Sequence, residues 1–257
     1  MKNIKFVIIA IIIILSIALI AFDESKKTQN ATVPKGYKLI WSEEFDKDLS
    51  NWSIITEDAK NAPVHNGSVL LTAFYKSSGD YISRSLIESK FSFKYGIIEF
   101  RGRLSYVPGV DNELWLMPTS GEHSPEIDVL ERPGRYAWCV NSIMYGDNVW
   151  DTNFDDVTGK TCKNTNDGNY HIYALKWEPD VIIWYIDGVE RWRAKEQWVS
   201  NANVPMKIDM GLCADKDKGC YIGNFGDNVD NFDLLPTDFA IDYIRIYQKL
   251  PKFELPD

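Results

Sequence analysis

Residues 171–188, His171-Ile172-Tyr173-Ala174-Leu175-Lys176-Trp177-Glu178-Pro179-Asp180-Val181-Ile182-Ile183-Trp184-Tyr185-Ile186-Asp187-Gly188, read as two strands and two turns. His171 to Trp177 and Val181 to Ile186 are strand-length runs rich in β-branched and aromatic residues, joined as a hairpin by Glu178-Pro179-Asp180. Asp187-Gly188 is the dipeptide favoured in a tight type I′ turn, where both positions take positive φ. Arg191 to Arg193 continues the meander. Outward from this stretch, Tyr37 to Trp41 and Ser68 to Tyr75 read as strands, and Phe239 to Gln248 closes the chain as a last one. In Ile97–Arg103, Ile98, Phe100 and Gly102 alternate with Glu99, Arg101 and Arg103. After Pro34 there is no long helical period, internal repeat or low-complexity stretch. Roughly ten short strands without crossover helices make an all-β chain, an antiparallel β-sandwich of jelly-roll type. The expected organisation is one domain over 37–250, after a linker at 28–36 and before a tail at 251–257.

The chain has 257 residues, with 28 Lys and Arg against 37 Asp and Glu, a formal charge of −9. That acidity argues against a nucleic-acid partner, which demands a basic footprint. Hydrophobic residues at 45% exclude wholesale disorder. Residues 1–27 read as a signal peptide or an N-terminal membrane anchor: Lys2 and Lys5 precede an apolar run from Phe6 to Phe22 broken only by Ser16. The protein is then secreted, or anchored on the outer side of the cytoplasmic membrane and touching it only through this segment. Without the four lysines and two acids of residues 1–27, the remainder carries −11.

Export bears on the cysteines. Cys139, Cys162, Cys213 and Cys220 lack the paired spacing of a zinc site, and His65, His123 and His171 are scattered. An oxidising compartment allows disulfides, with Cys213–Cys220 closing a short loop and Cys139–Cys162 a longer one. Buried free thiols are the other reading.

Chemistry concentrates in Pro125-Glu126-Ile127-Asp128-Val129-Leu130-Glu131. On a strand, Glu126 and Asp128 share one face while Ile127 and Val129 take the other. Strict alternation would put Leu130 beside Asp128, so a single β-bulge is needed to bring Glu131 to the acidic face. Three carboxylates in a row repel and raise one another's pKa, a cost expected of a site rather than a scaffold. With the bulge, the outer Cα atoms lie about 13 Å apart, and two Glu side chains leaning inward leave roughly 5 Å between carboxyls. A retaining glycosidase pair needs ~5–5.5 Å.

Around this segment stand further landmarks: Trp41-Ser42-Glu43-Glu44-Phe45, Tyr95-Gly96-Ile97-Ile98-Glu99-Phe100-Arg101, and Leu114-Trp115-Leu116-Met117-Pro118. After it come the His171–Trp177 and Trp184–Gly188 stretches and Asp242-Tyr243-Ile244-Arg245-Ile246-Tyr247-Gln248. With these motifs in this order, the chain resembles glycoside hydrolase family 16, the laminarinase, lichenase, agarase and carrageenase group, in its bulged E-x-D-x-x-E version. The resemblance runs from about Tyr37 to Gln248. It implies a concanavalin A-like sandwich with an open cleft on its concave face, and a retaining endo-glycosidase that hydrolyses internal β-glycosidic bonds of a polysaccharide. By position, Glu126 is the nucleophile, Glu131 the general acid and base, and Asp128 the residue that hydrogen-bonds the nucleophile. No cofactor is required for catalysis. A structural Ca²⁺ away from the cleft would use Asp242.

Planar side chains stack on the apolar faces of sugar rings, so Trp138, Trp150, Trp192 and Trp198 are candidate subsite residues. Trp115, inside an apolar run, reads as packing. His171, in the family's His-x-Tyr-Ala motif, is a candidate either for the site or for a structural hydrogen bond. Asp111 stands where laminarinase-like members carry a tryptophan that stacks on a glucosyl unit, so it too is a candidate substrate contact. The acidic chain disfavours an anionic substrate unless Arg84, Arg101 and Arg103 form a local patch. The protein is expected to be a monomer. Two other readings remain: a transglycosylase remodelling wall or matrix glycans, and a polysaccharide-binding protein without catalysis.

Overall fold

The computed structural model describes residues 34–251, except 57, 60–61, 77–80, 83, 108–109, 134–139, 146–148, 155–164, 166, 201 and 215–233. Residues 39–249 form one unit; residues 1–38 and 250–257 form a second. Within the second, Tyr37 N–H donates to the Pro34 carbonyl and Leu250 N–H to that of Gly36. The expected leader at 1–27 lies outside the described residues.

Sixteen strands and one helical turn are described. The first sheet holds β1 (Tyr37–Glu43), β16 (Thr237–Lys249), β7 (Gly96–Arg103), β12 (His171–Glu178), β13 (Val181–Ile186) and β14 (Val189–Arg193) in that order, with β3 (Val69–Ala73) also pairing β16. In the second the order is β11 (Val149–Phe154), β10 (Val140–Tyr145), β9 (Glu126–Pro133), β8 (Val110–Pro118), β15 (Met206–Ala214), β6 (Arg84–Phe93) and β2 (Trp52–Ile54). β4 (Tyr75–Lys76) and β5 (Tyr81–Ile82) make a small ribbon, and α1 (Glu196–Val199) is a single turn. The all-β antiparallel expectation holds. The strand expected over Ser68–Tyr75 is divided, with Phe74 between β3 and β4.

Period-two patterning explains the layers. Ile98 and Phe100 of β7, Tyr173, Leu175 and Trp177 of β12, and Ile244 and Ile246 of β16 are buried in one cluster with the second sheet's Leu114, Leu116, Ile208, Met210 and Leu212. Phe100 stacks on Tyr173 with ring centroids 4.9 Å apart. The expected turn after β13 is present: Asp187 and Gly188 have φ of 50° and 75°. The Asp187 side chain accepts from Ile172 N–H, so the turn is tied back to β12.

In β8 and β15 the residues between the core positions point away from the interior: Asp111, Glu113 and Trp115, and Lys207, Asp209, Gly211 and Cys213. This face of the second sheet carries the chemistry.

Candidate active site

β9 lies between β8 and β10, and its register breaks on both sides. Against β8, Leu114 faces Leu130 but Trp115 faces Asp128, which makes Val129 the extra residue. Against β10, Val140 faces Glu131 and Ile143 faces Ile127, so β9 again has one residue more. This is the expected bulge. Ile127, Val129 and Leu130 all enter the core, whereas Glu126, Asp128 and Glu131 share the opposite face and interact electrostatically. The trio is therefore assembled by one inserted residue.

Two contacts from the interior hold this kink. The indole N–H of buried Trp184 on β13 donates to the Asp128 carbonyl at 2.8 Å, beside the break in the ladder. Asn112 on β8 accepts from Ser105 N–H and donates to the carbonyls of Ser105 and Arg132, fixing the end of β9 next to Glu131. Arg132 is fully buried and reaches the Ser105 carbonyl. Buried backbone groups demand such partners.

More carboxylates surround the trio than the family pattern implies. Glu113 faces Glu131 across the β8–β9 ladder, Asp111 lies two residues along the same face, and Asp209 faces Trp115 from β15. Asp111 and Glu113 are 3% and 2% exposed, so neither is a solvated surface acid. Burial, then the charge of Asp128 and its hydrogen bond, pushes Glu126 up to about 9. Burial, then Asp128, Asp111, Glu113 and Glu126, holds Glu131 well above the ordinary carboxylate range. Burial followed by Glu113 does the same to Asp111. Asp209 rises to about 7, by burial and then Glu88. Glu113 rises only to about 6, because Arg84 opposes its burial. Arg84 Nη2 lies 3.5 Å from Glu113 Oε2, and Lys207 pairs with Glu88 at 2.8 Å.

The other sequence candidates scatter. Asp111 is on the site face, but as a buried neighbour of Glu113 and Glu131 rather than an open contact. Trp115, expected to pack, instead sits half-buried on the site face opposite Asp128. Its parity with Glu113 on β8 is the signal that the apolar context hid. Trp192 packs on buried Trp184, centroids 4.3 Å apart, and so adds to the core instead of joining the carboxylates. The backbone register puts Trp150 in the row of Met144 and Glu126. Trp198 belongs to α1, and Trp138 lies outside the described residues.

His171 opens β12 on the first sheet and is hydrogen-bonded through both ring nitrogens. Its Nδ1 lies 2.8 Å from Asp187 and its Nε2 3.1 Å from Asp167. Partial burial opposes its charge, yet the two carboxylates raise its pKa. Asp242 takes Arg101 and Ser68 as partners, so a guanidinium stands beside the carboxylate expected to hold calcium. Among the described residues no His, Cys, Asp and Glu cluster has a metal-holding arrangement. Arg101 and Arg103 lie over Tyr170, and Arg84 is turned to Glu113, so the three arginines make no common patch. Cys213 is disulfide-bonded. Cys139, Cys162 and Cys220 lie outside the described residues.

Against this geometry the comparisons are specific. The sequence model described as Glycosyl hydrolases family 16 matches residues 49–226. The chain is 27% identical, over 83% of its length, to "Glucan endo-1,3-beta-glucosidase A1" of Niallia circulans, of which it spans 38%. It is 26% identical, over 72% of its length, to "Endo-1,3-1,4-beta-glycanase ExsH" of Rhizobium meliloti, of which it spans 39%. Among solved structures, a laminarinase from Flavobacterium sp. UMI-01 superposes with a TM-score of 0.66 at 21% identity, over 82% of this chain and 100% of that one.

Proposed function

As the chain belongs to glycosyl hydrolases family 16, we propose that it is a retaining endo-glycosidase that cuts internal β-linkages of a neutral glucan. The observation that carries this is the bulge at Val129, which gathers Glu126, Asp128 and Glu131 on one face. Relatives named for β-glucan hydrolysis support the substrate class. So does the net negative charge of the chain, which disfavours sulfated or uronate-bearing polymers.

The reaction is a double displacement. Glu126 and Asp128 are hydrogen-bonded side chain to side chain, so one proton lies between them. Glu126 holds that proton at rest and passes it to Asp128 as its carboxylate attacks the anomeric carbon and forms a glycosyl ester. The glycosidic C–O bond breaks as Glu131 gives its proton to the departing oxygen. Water then enters and surrenders a proton to Glu131. The water oxygen bonds the anomeric carbon as the ester bond breaks, Glu126 takes its proton back from Asp128, and the Glu131 acid is restored. Burial and crowding raise Glu131, which keeps it protonated for the first step. Trp115, opposite Asp128, offers a ring for sugar stacking on the face where Asp111, two positions beyond Glu113, replaces one.

We infer export through residues 1–27 from their charge and hydropathy pattern, and the bonded Cys213 fits an oxidising compartment. The activity is tested with laminarin, mixed-linkage glucan, agarose, carrageenan and porphyran. Oligosaccharides are expected from the two glucans, with a first product of retained anomeric configuration in an NMR time course. An inverted first product, or no product from any polymer, overturns the reading.

A further inference from the structure

We propose that Glu113, held by Arg84, is a positioning residue that keeps the proton of a facing carboxyl pair on Glu131. The inference rests on Glu131 being the acid of the proposed reaction.

Glu113 and Glu131 are directly opposed Cα partners on β8 and β9. Side chains so placed in an antiparallel pair have Cβ atoms roughly 4.5–5.5 Å apart. Glu113 is 2% exposed, and two carboxylates this close in a desolvated place do not both ionise. The pair therefore carries one proton. Arg84 decides which member holds it. Its guanidinium is 3.5 Å from Glu113 Oε2, so charge is favoured on Glu113 and the proton stays on Glu131.

Among the described residues, the charged groups that act most strongly on Glu131 are all acids. From β8 they are Asp111 and Glu113, and from its own strand Asp128 and Glu126, all of which raise it. In the backbone register, Val140 of β10 pairs with Glu131. From β15, Asp209 acts on Glu126, while Arg84 of β6 acts on Glu113. Arg132, the next residue along β9, turns to the Ser105 carbonyl.

Room for this arrangement comes from Gly211, the β15 partner of Glu113. A Cβ there would stand 3.1 Å from Glu113 Oε2 and 3.0 Å from the Ser85 carbonyl. The missing side chain lets the Glu113 carboxylate lie over β15, toward Arg84 on β6. Three strands thus cooperate to assign one proton on a fourth.

The first test is a carbon-13 NMR titration of glutamate carboxyls in the full chain, assigned with Glu113→Asp and Glu131→Gln. Glu113 should ionise near pH 6 and Glu131 only after it, at higher pH. The reverse order, or Glu131 ionising near the ordinary ~4.3, overturns the proposal. This readout needs no turnover, so it still decides if laminarin is not cleaved and the proposed activity fails. The second test is kinetic. Glu113→Gln removes a negative charge, lowers the Glu131 pKa and moves the basic limb of kcat/KM on laminarin acidward by about one pH unit. Glu113→Asp, which keeps the charge, should restore the limb. A uniform loss of rate with the limb unmoved would mark Glu113 as merely structural and reject the proposal. If Glu113→Gln does not fold, the wild-type titration order settles the matter.

Discussion

The Trp184 indole N–H donates across the sandwich interior to the Asp128 carbonyl, 2.8 Å away. One side chain of the first sheet thereby reaches the backbone of the middle carboxylate of the second. The contact sits beside the extra residue, where the β8–β9 ladder is interrupted.

Trp184→Phe keeps most of the apolar volume and the stack on Trp192 but removes the donor. Leaving a buried carbonyl without it costs about 1–3 kcal/mol. We expect a lower melting temperature and a drop in kcat of about tenfold or more, with KM changing less, because the bulge loosens. Unchanged kcat in a folded variant would show that the hydrogen bond does not position the trio.

The trio separates by substrate. Glu126→Gln should abolish hydrolysis of laminarin and of activated aryl glycosides alike, by about 10³-fold or more, since no ester forms. Glu131→Gln should fail on laminarin yet retain ester formation from a substrate whose leaving group needs no proton, and azide should restore turnover. Identical behaviour of the two variants would contradict the division of roles.

Stability should fall as pH rises. Glu126, Glu131, Asp111 and Asp209 have folded-state pKa values above those of an unfolded chain, so the folded state binds more protons in between. Their contribution is full below about pH 4 and is lost progressively up to about 9, where Glu126 titrates. Scanning calorimetry should give a melting temperature lower at pH 8.5 than at pH 5.5, by about 5 °C or more. Glu126→Gln should flatten that dependence and stabilise the protein at pH 8.5. A rising profile would contradict the burial of these acids.

The pair Arg101–Asp242 predicts indifference to calcium. Melting temperatures with a chelator and with millimolar Ca²⁺ should agree within about 1 °C. Asp242→Asn should cost about 2 kcal/mol by leaving a largely buried guanidinium without its counter-charge. A calcium-dependent shift of several degrees would restore a metal role to Asp242.

The bulge was legible because the E-x-D-x-x-E spacing clashes with a period of two, and only an inserted residue resolves the clash. The hairpin of β12 and β13 was legible from its turn residues. β15 carries the same kind of signal, with Met206, Ile208, Met210 and Leu212 alternating against Lys207, Asp209, Gly211 and Cys213. Strand parity likewise points to Glu113 and Trp115, which share a face of β8 with Asp111. Arg84 is different. Its link to Glu113 exists only because β15 lies between β6 and β8, and no local pattern specifies that neighbour order. The Arg101–Asp242 pair was hidden for a similar reason: its two members come from strands far apart in the chain.

Cys213 stands in a row between Arg84 and Asp111. The flank that tunes the acid is thus stapled by a bond that persists only where thiols are oxidised. In a glutathione-rich cytosol that covalent tie would be missing from the row.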